Sequence, residues 1–332
     1  MHIPLVFFSL ISLCLAASRT SAPSGALVVS KSATSGQYST IQAAIDALST
    51  TSTAAQSIFI NAGTYNEQVY IPARSAALTI YGYTADTSSY ASNQVTITYG
   101  LSQATVSTND LTATVRAWSS NFKMYNINMV NSYGSGSQAL ALSASATGQG
   151  YYGCQFRGFQ DTLLSQTGSQ LYASCLIQGA TDFIFGQHAS AWFEQCDLRV
   201  VAASLGYITA SGRASSSDTS YYVINNSTVA AASGNTVTAG AYYLGRPWGA
   251  YARVVFQSTA LSEVINAAGW HIWNTGDERT GDVLFGEYEN SGEGASGTRA
   301  SFATELGESV GIETVLGSGY AAEGWVDGGF LG

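Results

Sequence analysis

Three columns of residues recur every 21 positions in the middle of this chain: Tyr151, Tyr172 and Phe193; Cys154, Cys175 and Cys196; Phe156, Ile177 and Leu198. Gly158 and Gly179 form a fourth column and Asp161 and Asp182 a fifth, whereas the third register departs at Val200 and Ala203. A period in the low twenties marks a solenoid, in which each repeat buries its apolar side chains only by stacking on its neighbours. Helical repeats are longer and richer in Ala, Leu, Glu and Lys.

The repeating segments are short, β-branched or aromatic, and punctuated by Gly, Asn and Ser. Leu78 to Tyr83, Val95 to Tyr99, Phe122 to Val130 and Arg253 to Gln257 are therefore predicted strands. Asn126 to Met129 alternate polar and apolar, and Gln138 to Leu142 alternate small or polar with large apolar residues only in part, so one face is expected to point inward. The expected fold is all-β, a single-stranded right-handed parallel β-helix. Its neighbouring strands lie about 4.8 Å apart, so residues one coil apart stand side by side, and Asp161 and Asp182 share a patch of surface. Before the first repeat, Thr40 to Leu48 reads as a short amphipathic helix, N-capped by Ser39 or Thr40, that caps the open N-terminal end. The Gly-rich tail after Asn290 contains Phe302 to Val315, with helical potential, as a cover for the other end.

The apolar run Ile3 to Ala17 is too short for a membrane span and reads as a secretory signal peptide, residues 1–17, with Cys14, Leu15 and Ala16 offering a cleavage site. No Pro-rich or charge-dense linker divides the remainder, so residues 18–332 are expected to form one elongated, soluble, extracellular domain. Only 10% of residues are charged and the formal charge is −9, which argues against nucleic acid as a partner. No later stretch suits a membrane. Overlapping sequons at Asn225 and Asn226 permit one N-glycan. With Cys14 removed, three cysteines remain, spaced to stack in one column within reach of a disulfide. One pair and one buried thiol are expected, with Cys154–Cys175 and Cys175–Cys196 both open, and a metal site disfavoured because no further Cys or His completes a tetrahedron.

Inventory removes several chemistries. Beyond the signal segment there are two histidines, His188 and His271, and no Gly-x-Ser-x-Gly elbow, so a Ser-His-Asp esterase is excluded as a reading. Phosphate loops and dinucleotide fingerprints are also missing. The carboxylate pair survives. Two like charges within a few ångströms cannot both ionise freely, so one holds its proton and can donate it while the other stays anionic. The bland alternative is a pair of solvated corner aspartates.

The flanks are informative. They read Gly158-Phe-Gln-Asp-Thr-Leu163 and Gly179-Ala-Thr-Asp-Phe-Ile-Phe-Gly186, followed by Leu244-Gly-Arg-Pro-Trp248 and Gly269-Trp-His-Ile-Trp273. Gly63-Thr-Tyr-Asn-Glu67, Gln138 in its Gln-Ala-Leu-Ala-Leu strand, and Glu287-Tyr-Glu-Asn290 complete the set. In motif content and order the chain resembles the pectin methylesterase family over nearly its whole length. The resemblance implies hydrolysis of methyl esters of polygalacturonate, with methylesterified homogalacturonan as partner, a monomer, and neither metal nor organic cofactor. It implies Asp182 as nucleophile, Asp161 as general acid and then base, and Gln138 and Gln160 as oxyanion donors. Arg246 matches the arginine that holds the nucleophile, and Trp248 matches an aromatic of the cleft. By resemblance the disulfide is Cys175–Cys196.

Physical sense accompanies each role. An arginine fork orients a carboxylate and keeps it ionised, and an amide donor aimed at the oxyanion contributes about 3–4 kcal/mol. Gln138 lies 23 residues before Asp161, about one coil, whereas Arg246 lies 64 beyond Asp182 and is placed by the resemblance alone. Departures are Leu164, where Tyr often stands, and Gln187-His188 in place of Asn-Ala; they bear on subsites rather than on the reaction. Tyr151, Tyr172 and Phe193 read as an internal aromatic ladder, while Tyr65, Tyr81 and Trp273 fit either core or cleft. The rival functions are a β-helical polygalacturonase or pectate lyase, and a catalytically silent pectin-binding relative.

Overall fold

The computed structural model describes residues 17–331, so the expected signal segment lies, but for Ala17, outside the described residues. The chain winds into a parallel β-helix of three sheets. The first sheet has eleven strands, from Leu27–Val29 to Ala303–Glu305, the second eight, from Gly63–Asn66 to Ala260–Leu261, and the third seven, from Val69–Ile71 to Tyr242–Gly245. Each coil contributes a strand to successive sheets, and its neighbours pair with it in parallel.

Register reproduces the period where the coils are shortest. Tyr151 lies opposite Tyr172, and Tyr172 opposite Phe193. Their rings stack inside the helix at 5.1 and 4.7 Å between centroids, with nearly parallel planes, so the column is core and not a sugar platform. Such pairs add about 0.5–1.5 kcal/mol beyond their area burial. Tyr65 is also core, whereas Tyr81 stacks on Tyr125 outside the first sheet.

One predicted strand is two. Phe122–Tyr125 belongs to the first sheet and Asn128–Asn131 to the second. The chain turns between them at Asn126, which adopts a left-handed conformation, as Gly153, Ser174, Gln195, Asn226, Ser258 and Glu289 do at the same corner of later coils. A single left-handed residue bends the strand without a loop, so hydropathy runs straight through the corner. Likewise Gln138 to Ala141 lead into a strand that begins at Leu142.

The Cys column is in register, but it forms no disulfide: Cys154, Cys175 and Cys196 are free, buried thiols. Side chains on neighbouring parallel strands point the same way instead of converging as a disulfide demands. Each thiol bonds two carbonyls instead, as Cys175 does to Tyr151 at 3.4 Å and Ala173 at 3.3 Å. Burial raises the Cys175 thiol well above its ordinary pKa.

At the N-terminal end a helix, Ile41–Asp46, buries Ile41, Ala44 and Ile45 against the first coil. Thr40 is its N-cap, and Glu67 takes the amides of Ile41 and Gln42 at 2.9 and 3.0 Å, which explains the Gly63 to Glu67 motif as structural. The tail differs from expectation. Only Ile312–Leu316 is α-helical within Phe302 to Val315 and its edge, and the segment runs back across the outer face of the first sheet rather than over the open end. Leu316 and Trp325 pack there against Tyr152, Leu171, Trp192 and Val223. Tyr152 Oη donates to the Trp325 carbonyl at 2.7 Å, and Tyr125 Oη to Asp327 at 2.8 Å.

Candidate active site

The third sheet brings the polar motif residues to one place. Main-chain bonds hook the entry to each coil onto the next: Gln103 N–H donates to Gln138 O, Ala139 N–H to Gln160 O, and Asp161 N–H to Thr181 O, all near 3.0 Å. Gln103, Gln138, Gln160 and Asp182 thereby descend as a row. A cavity of about 420 Å³ opens over it, lined by those four together with Asn109, Asp161, Phe185, Arg246, Trp248 and Trp273. Every residue the sequence nominated, Gln138, Gln160, Asp161, Asp182, Arg246 and Trp248, faces this cavity.

The two aspartates share an unusual backbone. Asp161 has φ 61° and Asp182 φ 51°, and Asp182 lies where the register slips between Thr181 and Ile184, a bulge against Gly206–Ser211. A left-handed non-glycine residue costs about 1–3 kcal/mol and persists only where its surroundings enforce it. Here the left-handed turn at each aspartate, with the bulge at Asp182, turns both carboxyls out of the ladder into the cavity.

Arg246 divides the pair. Its Nε donates to Asp182 Oδ1 at 2.9 Å and its Nη2 to Oδ2 at 2.6 Å. Gly245 permits this approach, since a Cβ there would fall 2.0 Å from Thr209 Oγ1. The guanidinium is sandwiched between the rings of Tyr207, 4.1 Å from its carbon, and Trp273, 4.4 Å, contacts worth about 0.5–2 kcal/mol each. The loop carrying Trp273 is tied down by Arg279, which donates to the Trp248 carbonyl and pairs with Asp277.

Both carboxyls are buried, Asp161 at 7% and Asp182 at 6% exposure. Burial drives the Asp182 pKa above the ordinary value, against the pull of the Arg246 fork. Burial drives Asp161 well above it, the Asp182 charge pushes it further, and Arg246 and the Asn109 amide pull it back only in part. The environments therefore differ: Asp182 faces a guanidinium fork, whereas Asp161 faces the Asp182 carboxyl and is pushed up further. Gln138 Oε1 accepts from Ser137 Oγ at 3.4 Å, which leaves its N–H groups for the cavity.

Several nominated motif residues serve elsewhere. Glu287 holds Arg299 through two 2.9 Å bonds and accepts from the buried Trp270 indole, so Glu287 to Asn290 is structural. His188 pairs with Asp218, and His271 rests against Tyr243; neither lines the cavity. Sequence reasoning missed Gln103, Asn109, Phe185 and Tyr207, which carry no periodic signal; Phe185, inside the Asp182 motif, was the one within reach.

A β-helix with paired carboxylates, one guanidinium and a row of amides in an open cavity defines the class, a β-helical carboxylic ester hydrolase. The chain belongs to the pectinesterase family: the Pectinesterase sequence model matches residues 26–305. It is 56% identical to a pectinesterase of Aspergillus niger, covering 96% of this chain and 95% of that one. It is also 56% identical to a pectinesterase of Aspergillus aculeatus, covering 94% of each. Among solved structures it resembles the pectin methylesterase of Aspergillus niger, with TM-score 0.86, 46% identity and coverage of 94% of this chain and 99% of that one. The carrot pectin methylesterase follows at 0.78, 29% identity and 94% of each.

Proposed function

We propose that the protein is a secreted pectin methylesterase, which converts methyl esters of polygalacturonate to free carboxylates and methanol. The Arg246 fork on Asp182, beside the second buried carboxyl of Asp161 in the same cavity, is the observation that carries this reading.

An Asp182 oxygen attacks the ester carbonyl carbon, and the oxyanion that forms takes N–H donors from Gln138 and Gln160. As the C–O bond to the methoxy group breaks, Asp161 gives it the proton and methanol leaves. The galacturonosyl group is then held on Asp182 as a mixed anhydride. Asp161, now a carboxylate, takes a proton from water, whose oxygen attacks the same carbonyl; collapse frees Asp182 and restores the Asp161 proton. Trp248, beside Phe185, gives the sugar an aromatic wall.

Residues 1–17 serve as the signal peptide and 18–332 as one catalytic domain. The test is methanol release from methylesterified pectin, scored with reducing ends and unsaturated product in one digestion. Methanol alone is expected, and it is abolished by Asp182→Asn. Chain cleavage would point to the glycosidase or lyase, and binding without methanol to a silent relative.

A further inference from the structure

Beside the reactive cavity a second pocket of about 350 Å³ opens on the same sheet face, and the two share Asn109, Phe185 and Trp248 as a common wall. Resting on the esterase reading above, we propose that this pocket is a subsite for a further, uncharged methylesterified uronosyl residue of the same polymer, stacked on Trp118.

Trp118 is 41% exposed, among the most exposed large apolar side chains of the described residues, yet it is firmly anchored. Its indole N–H donates to Asp110 Oδ1 at 2.9 Å. Asp110 is fixed in turn by Ser143 Oγ at 2.7 Å and by Arg116, whose Nε and Nη2 reach its other oxygen at 2.8 and 2.6 Å. A ring held by its edge with its body in solvent is a preorganised platform, and apolar lining with a few placed polar groups is the usual make-up of a small-ligand pocket. Gln166 and Gln187, from adjacent coils and bonded to each other at 3.3 Å, border the pocket with amide groups suited to sugar hydroxyls.

Charge selects the ester over the acid. Asp110 is the only ionisable group in the pocket lining. The nearest cation, Arg116, is spent on Asp110 and lies over the Tyr70 ring, 4.7 Å from its centroid. A free uronate there would be desolvated beside a neutral ion pair with no unpaired cation in the lining to hold it. Distance fits a polymer: the Trp118 coil is two strand steps from the Asp161 coil, roughly 10 Å at the spacing of parallel strands.

The test compares fully methylesterified galacturonate oligomers, a short one filling only the reactive cavity and a longer one reaching Trp118. Trp118→Ala is expected to lower the long-to-short ratio of kcat/KM about tenfold, with Trp118→Phe restoring most of it. The ratio does not depend on how much of the variant folds. An unmoved ratio overturns the subsite. Calorimetric binding of the long oligomer to Asp182→Asn protein keeps the question separate from turnover: the esterified form is expected to bind more tightly than the same oligomer saponified, and to lose that advantage with Trp118→Ala. Equal or tighter binding of the saponified oligomer overturns the selection of ester over acid. Absence of methanol release by the unaltered protein would count against the esterase reading alone.

Discussion

Arg246 reaches across 64 residues of sequence to grip both oxygens of Asp182, while Asp161, one coil away, receives no such fork. The asymmetry gives two identical side chains different electrostatic surroundings, the basis of the roles proposed for them.

The pH profile follows. The proposed mechanism requires Asp182 ionised and Asp161 protonated, so kcat/KM is expected to fall on the acid side as Asp182 takes up a proton and on the alkaline side as Asp161 loses one. Both pKa values are raised, which sets both limbs above the ordinary carboxylate range. Arg246→Lys keeps a charge but loses the fork, so the acid limb should move to higher pH and kcat/KM should drop by about 100-fold or more. A pH–rate series on wild type and variant measures both.

Stability should respond to Asp161 in the opposite sense from activity. A carboxyl whose pKa is higher folded than unfolded favours the native state when protonated, and that contribution is lost as pH rises through the folded pKa. Asp161→Asn removes the ionisation and should raise stability by about 1–2 kcal/mol above that pH, with little gain in acid. Thermal melts across pH, beside a null methanol assay, check it.

The solenoid and the pairing of the aspartates were legible because the central coils keep one length: Gln149 lies opposite Gln170, and Gln170 opposite Ala191. The period then fails. Ala191 lies opposite Tyr222 and Tyr222 opposite Val254, steps of 31 and 32, because longer loops leave the second and third sheets. Arg246 lies beyond that break, so spacing could not place it and motif resemblance had to. The disulfide expectation went wrong for a different reason: spacing reports how near two side chains come, not where their Cβ atoms point. Tyr207 and Trp118 act through a neighbour's charge or through exposure, neither of which is written in hydropathy.

Thiol chemistry separates the structure from the expected disulfide. Native protein should leave Cys154, Cys175 and Cys196 unreactive, and denatured, unreduced protein should yield all three as free thiols. A colorimetric thiol count does this directly.

The aromatic stack should dominate core energetics. Tyr172 lies between Tyr151 and Phe193 with no exposure, so Tyr172→Ala should cost about 3–5 kcal/mol. Tyr172→Phe loses only the 2.8 Å bond to Gln170 and should cost about 1 kcal/mol. Denaturant midpoints distinguish the two.

Glycosylation in a secretory host should fall on Asn226. It is exposed at a left-handed corner, with its amide making only a long 3.4 Å bond to Glu194, whereas the half-buried Asn225 amide donates to Glu194 at 2.8 Å and accepts from Gln257 at 2.8 Å. Asn226→Gln should abolish the glycan mass increment, whereas Asn225→Gln leaves the Asn226-Ser227-Thr228 sequon intact and should preserve it; intact-mass measurement reads both.

The tail that crosses the first sheet gives the molecule a mode of failure unlike that of a simple coil stack. An unbraced solenoid can fray from either end, one turn at a time. Here one segment is fastened to Gln257 and, five strands along the first sheet, to Tyr125, so the coils between those two strands cannot separate while it stays seated. Its release and the loss of the middle coils become a single event, and a stack of separable layers melts as one body.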